Sequence, residues 1–123
     1  MLSTILAVFP AIAIFVAPLK HEAVASWYGR GFHGRLTASG RIYDQDSFTA
    51  AHRSCRFGTV LLVRHEYRHV IVTVTDRGPF VPGRDIDLSR ASFMMLADTT
   101  VGILEIEYEV IYVGNWRYDC GQR

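Results

Sequence analysis

Val70-Ile71-Val72-Thr73-Val74-Thr75-Asp76-Arg77-Gly78-Pro79 is the stretch on which the architecture turns. Its first six residues are all β-branched, and such side chains fit a pleated strand better than a helix. Asp76-Arg77-Gly78-Pro79 then stops the strand abruptly, because Gly and Pro both interrupt regular pairing. Asp76 is left at a strand end beside a turn with open backbone, a sensible place for an acid that does chemistry. The bland alternative is a turn-capping aspartate that accepts local backbone N–H bonds.

Upstream, Thr59 to Arg64 has the same β-branched and Leu-rich character, and the polar residues His65 to His69 read as a hairpin connection between the two strands. Downstream, Ser89 is placed to cap a helix over Arg90–Ala97. In Leu104-Glu105-Ile106-Glu107-Tyr108-Glu109-Val110 apolar residues alternate with three Glu, which predicts a strand with one wet face. Further upstream, Ser26-Trp27-Tyr28 is strand-like, and Gly29, Gly31 and Gly34 punctuate a loop carrying Arg30, Phe32, His33 and Arg35. Ser39-Gly40 marks another turn. Several short strands and one helix in about a hundred residues predict an all-β domain, a small closed or nearly closed barrel.

The chain has 123 residues, enough for one hydrophobic core. Half are apolar and a fifth charged, a globular balance. Its formal net charge is +1 and both signs are interleaved, which argues against nucleic acid as a partner. Met1 to Leu19 holds no charged residue and is mainly Leu, Ile, Val, Phe and Ala, with Ala23-Val24-Ala25 as a small-x-small cleavage site. Residues 1–25 are therefore expected to be a signal peptide or an N-terminal apolar anchor, 26–113 the barrel, and 114–123 a tail. Export to the periplasm or cell envelope follows, as a monomer with no stable membrane anchor once the leader is removed. No Cys near the leader's end is placed to accept a lipid. Cys55 and Cys120 suit an oxidising compartment. A bridge between them would tie the tail to the loop at Cys55 and contribute about 4 kcal/mol in the chain-entropy model. The alternative is two buried or free thiols.

Six segments stand in order. They are Ala25-Ser26-Trp27-Tyr28-Gly29, Thr37-Ala38-Ser39-Gly40, Thr49-Ala50-Ala51-His52-Arg53, Phe57-Gly58-Thr59, Asp76-Arg77-Gly78-Pro79-Phe80 and Ile86-Asp87-Leu88-Ser89. Together they resemble the rare lipoprotein A family from about Ala25 to Ile111. That resemblance implies a six-stranded double-psi β-barrel, related to the barrels of expansins and a class of endoglucanases. It also implies lytic cleavage of peptidoglycan glycan strands, preferentially those stripped of stem peptides, with no cofactor or metal. Asp76 matches the acid considered catalytic in the family, and His52 matches a histidine implicated there. Arg41 stands where family members usually have Glu, and neither a lipid-accepting Cys nor a C-terminal glycan-binding domain is present in the sequence.

The remaining candidates each have two readings. His52 either orients the acid and donates to a sugar hydroxyl, or is a buried, hydrogen-bonded structural residue. Arg41 pairs with the lactyl carboxylate of muramic acid, or is a solvated surface cation. Trp27, Tyr28 and Phe32 form an aromatic platform for sugar rings, with core packing the default for at least one. Arg77 is expected beside the substrate. Asp87 reads as a structural residue at the helix start, and Asp44 and Asp46 are the nearest acidic substitutes for the missing Glu. His65-Glu66-Tyr67-Arg68-His69 spells the zinc-peptidase pattern H-E-x-x-H, but that chemistry needs a helix to bring both rings to one face, and here the pattern joins two β-prone runs. The rival class is a non-catalytic, expansin-like glycan-binding module, favoured by Arg41. The enzyme is favoured by Asp76, His52 and the aromatic loop.

Overall fold

A computed structural model describes residues 19–29 and 31–114. Six strands occur in chain order: β1 Lys20–Trp27, β2 Thr49–His52, β3 Val60–His65, β4 Arg68–Asp76, β5 Ile86–Leu88 and β6 Leu104–Tyr112. One helix, α1 (Arg90–Met94), and a 3-10 turn at Thr99–Val101 lie between β5 and β6. The sheet closes on itself in the order β1-β5-β2-β4-β3-β6. Two parallel pairs, β1–β5 and β2–β4, sit among antiparallel ones, which is the double-psi arrangement. Closure leaves no unpaired sheet edge among the described residues.

Alternation along the strands fills the interior. Ala25, Ala50, Leu61, Val63, Val70, Val72, Val74, Ile86, Leu88, Leu104, Ile106 and Tyr108 point inward and form one cluster. Phe93 of α1 joins that cluster and is fully buried. Ser89 caps the helix as its sequence predicts, its hydroxyl accepting from the Ser92 N–H at 3.2 Å. The helix ends at Met94, shorter than expected, and Leu96 beyond it is buried.

Three expectations shift. First, β1 starts at Lys20, six residues ahead of the expected domain start, and Ala25 is buried between β5 and β6. A cut after Ala25 would remove six of the eight residues of β1. Residues 1–18, which carry most of the leader reading, lie outside the described residues, as do Arg30 and the tail from 115. Second, the hairpin between β3 and β4 is only Glu66-Tyr67, with Glu66 at φ 54°. Third, the wet face of β6 holds Glu105 and Glu107, whereas Glu109 is buried and paired with Arg64 at 3.2 Å.

The hairpin geometry also removes the zinc-peptidase reading. His65 is the register partner of Arg68, and Arg64 of His69. Partners share a face and neighbours alternate, so His65 and His69 project from opposite faces of the ribbon. His65 instead bonds the Glu105 carbonyl at 2.8 Å.

Candidate active site

Asp76 ends β4 on the outer face: Val70, Val72 and Val74 take the inner one, but the register against β2 steps from Ala50↔Val74 to Ala51↔Asp76, so Thr75 is an extra residue of β4 that resets its alternation and sets Asp76 beside the outward Ala51. Its half-buried carboxylate accepts three hydrogen bonds. The Ala38 and Arg77 backbone N–H groups reach Oδ1 at 2.9 and 2.8 Å, and the Tyr28 hydroxyl reaches Oδ2 at 2.8 Å. One oxygen is thus fixed by backbone and the other by a side chain able to reorient. Burial, followed by the hydrogen bond to Asp76 and its charge, pushes the Tyr28 hydroxyl above its ordinary range, so it remains a donor.

The segment from Gly31 to Tyr43 folds back on itself as an arm over this carboxylate. Gly34 N–H donates to Tyr43 O, Tyr43 N–H to Arg35 O, and Leu36 bridges Ile42. At its tip, Ser39 N–H donates to Thr75 O, which brings Ala38 onto Asp76. Gly40 makes the return with φ +87°, a region where a side chain would be strained. Tyr28 packs on Tyr43 at 4.4 Å and on Phe32 at 5.6 Å, and the Arg35 guanidinium lies 5.6 Å over Phe32. On the other side of Asp76 in sequence, Phe80 is 79% exposed, its ring folded back over Gly78. Arg53 holds that loop by donating to the carbonyls of Pro79 and Arg84.

The sequence-predicted residues divide. Asp76, Tyr28 and Phe32 come together. Arg41 sits in the same arm with its carbonyl accepting from Thr37 N–H at 2.8 Å, and its exposed side chain makes no ion pair among the described residues. Trp27 leaves the platform: its Nε1 donates to Thr99 O at 3.0 Å and it packs against the core cluster. Arg77 is committed elsewhere, donating to the carbonyls of His52 and Cys55 with its guanidinium 3.9 Å over Phe57. Asp44 is committed to its own turn, accepting from Asp46 N–H and the Ser47 hydroxyl, and Asp46 is exposed in that turn. Cys55 is fully buried, while Cys120 lies outside the described residues.

His52 takes its structural reading. It follows the outward-facing Ala51 and so turns inward, opposite to Asp76. Its Nδ1 accepts from Ser54 and Cys55 N–H at 3.1 and 3.0 Å. That assigns the ring proton to Nε2, which donates to the Tyr108 hydroxyl at 3.1 Å. Burial, then the charges of Arg53 and Arg77, hold the ring down to about 4. Its ring clamps the 52–55 turn, and its hydrogen bonds go to Ser54, Cys55 and Tyr108.

Sequence reading missed Tyr28 as the donor to Asp76, and Ala38 as its neighbour. A backbone N–H carries no residue signature. A separate recess of about 620 Å³ opens on the β1–β6–β3 side, lined by Glu22, Arg64, Glu66, Asp85, Glu105 and Glu107 among others. Its acidic lining suits an anionic glycan poorly, and Asp76 is not part of it.

Barrel and site together define a class: a double-psi β-barrel with one aspartate at a strand end on its outer face, under a folded-back arm. Residues 20–108 match the family described as "Lytic transglycolase", and the chain belongs to that family. It is 48% identical over 99 residues to the probable endolytic peptidoglycan transglycosylase RlpA of Aquifex aeolicus, covering 79% of this chain and 44% of that protein. It is 42% identical over 96 residues to the endolytic peptidoglycan transglycosylase RlpA of Campylobacter jejuni, covering 76% and 35%. The chain thus spans less than half the length of these relatives. Among solved structures it is similar to the Streptomyces papain inhibitor, with a TM-score of 0.64, 25% identity, and coverage of 76% of this chain and 96% of that one.

Proposed function

We propose that this domain is an endolytic peptidoglycan transglycosylase that cuts the bond between N-acetylmuramic acid and N-acetylglucosamine, acting on strands that lack stem peptides. The carrying observation is Asp76, half-buried at the foot of the arm and held by Tyr28, Ala38 and Arg77. Membership of the lytic family supports the reaction, and the names of the two relatives support the substrate.

The chemistry asks one carboxyl to work twice. Protonated at Oδ2, Asp76 gives its proton to the glycosidic oxygen as the bond from that oxygen to the anomeric carbon breaks. The carboxylate then takes the proton of the sugar's own 6-hydroxyl while that oxygen closes on the anomeric carbon. The products are a 1,6-anhydro end and a free hydroxyl, and the acid returns to its starting state without water. Oδ1, fixed by two backbone donors, keeps the group in place, and Tyr28 follows the charge on Oδ2. Phe32 and Phe80 offer exposed rings for sugar faces, and Arg41 a cation for a lactyl carboxylate. The domain works in the cell envelope as a monomer, after removal of the leader upstream of Lys20 and with Cys55 bridged to Cys120. This reading draws on the apolar first nineteen residues and the pair of cysteines.

Mass spectrometry of peptide-stripped glycan strands after incubation with the domain tests the reaction. Wild type should produce anhydromuramic ends and Asp76→Asn at least about 10³-fold fewer, with unchanged folding. Equal product from both would move the chemistry elsewhere. Arg41, at the position where the resemblance implies Glu, favours a second reading, a glycan-binding module. That reading predicts no product from either protein and glycan retained by both.

A further inference from the structure

Asp76 does not stand alone on its face of the barrel. β2 lies between β4 and β5, and Ala51 is the register partner of both Asp76 on β4 and Asp87 on β5. Asp87 is in turn the partner of Ser26 on β1. Ala25, Ala50, Val74, Ile86 and Leu88 point into the core, so the row Ser26–Asp87–Ala51–Asp76 shares the outer face. Neighbouring strands lie about 4.8 Å apart, which puts the two aspartate Cα atoms on the order of 10 Å apart with one methyl group between them. Carboxyl groups leaning over that methyl reach the range of about 5 to 9.5 Å in which paired acids flank a glycosidic bond.

Asp87 has capacity to spare. It is half-buried, its Oδ1 accepts from the Ser26 hydroxyl, and its Oδ2 has no hydrogen-bond partner among the described residues. Tyr28, two residues beyond Ser26 on the same face, donates to Asp76 and is influenced by the charge of Asp87 as well. The phenol therefore lies within the field of both carboxylates. Reading Asp87 as a plain helix-start residue explains neither its place in this row nor its unused oxygen.

We propose that Asp87 is the second carboxyl group of the groove, facing the positive charge that develops at the anomeric carbon as the glycosidic bond breaks. The assignment rests on the reading of Asp76 given above. Asp87 forms and breaks no bond and moves no proton. The proton traffic remains between Asp76, the glycosidic oxygen and the 6-hydroxyl. A carboxylate in this position favours a cationic transition state over the neutral ground state, so its loss lowers kcat and leaves KM nearly unchanged.

The test measures kcat and KM for anhydro-end formation, and the unfolding midpoint, in wild type, Asp87→Asn and Ser26→Ala. Asp87→Asn should lower kcat at least about 100-fold with KM within about threefold, while Ser26→Ala keeps kcat within about fivefold. If Asp87 served only to tie β5 to β1 through Ser26, the two variants would lose equally, and that result overturns the proposal. Full activity in Asp87→Asn with an active wild type overturns the Asp87 assignment alone. An inactive wild type overturns the reading of the site and the proposal with it. A second measurement avoids altering Asp87. In the Asp76→Asn protein, a protonated iminosugar disaccharide should still bind at least about tenfold more tightly than its uncharged carbocyclic counterpart. Equal affinities overturn the proposal.

Discussion

Protonating His52 would place a charge inside the barrel beside two arginines, and the fold resists it. The folded ring titrates at about 4, below the ordinary histidine value near 6.5 of an unfolded chain. Between those values the unfolded chain binds the proton and the folded one does not. Stability therefore falls as pH drops from about 6.5 towards 4, and this contribution levels off below that. Thermal unfolding followed across this window should show a steeper loss of midpoint for wild type than for His52→Asn. In that variant the side-chain oxygen still accepts from Ser54 and Cys55 N–H and nothing titrates. Identical slopes would assign the acid sensitivity to other groups. The same residue shows how far sequence reaches at this scale. A histidine after two alanines is visible, but whether its ring shares a face with Asp76 depends on the extra residue Thr75 in β4, which turns Asp76 to the face opposite His52. Asp76 was legible because Gly78-Pro79 must end its strand. Tyr28 was legible as an aromatic residue but not as a donor, since its partner lies 48 residues away.

Elements differ in how much of their shape is written locally. β3, β4 and β6 are strands of six to nine residues with clear β-branched runs or alternation, and all three stand where their sequences place them. β2 and β5 are four and three residues long, too short for periodicity to mark them. They are strands because neighbours on both sides supply their hydrogen bonds. Gly114, just past β6, shows a constraint that no pattern announces. A Cβ there would meet the Phe57 carbonyl oxygen and the Gly58 carbonyl carbon, both at 2.5 Å, so backbone has to shift. Gly114→Ala is expected to cost about 1–3 kcal/mol, a fall of roughly 4–20 °C in the unfolding midpoint. Alanine tolerated without change would mean that the chain after Tyr112 does not rest on the 57–58 turn in solution.

For the whole molecule, the decisive junction is β1 with its two neighbours. β1 pairs with β5 on one side and β6 on the other, from Lys20↔Glu109 to Trp27↔Leu88. A chain beginning at Lys20 should fold cooperatively, and one beginning at Ser26 should not, because β6 then loses every register partner it has on β1, from Lys20 to Ala25, while β5 keeps Ser26 and Trp27. Circular dichroism and a denaturant titration of the two chains decide it, and a cooperative transition from the Ser26 chain would show that the barrel closes without the first six residues of β1. The barrel class was legible from strand count and chain length. The start of β1 was not, because Ala23-Val24-Ala25 has the small-residue spacing of a cleavage site as well as that of a tightly packed strand.

The pairing of β1 with β6 also has a consequence in time. The first strand to leave the ribosome has to wait for the last, because its antiparallel neighbour ends at Tyr112. Until then the emerging polypeptide has an unsealed sheet and cannot complete its core. Such a protein stays an open thread for nearly the whole of its synthesis, and the ring shuts only once its two margins, made first and last, can meet.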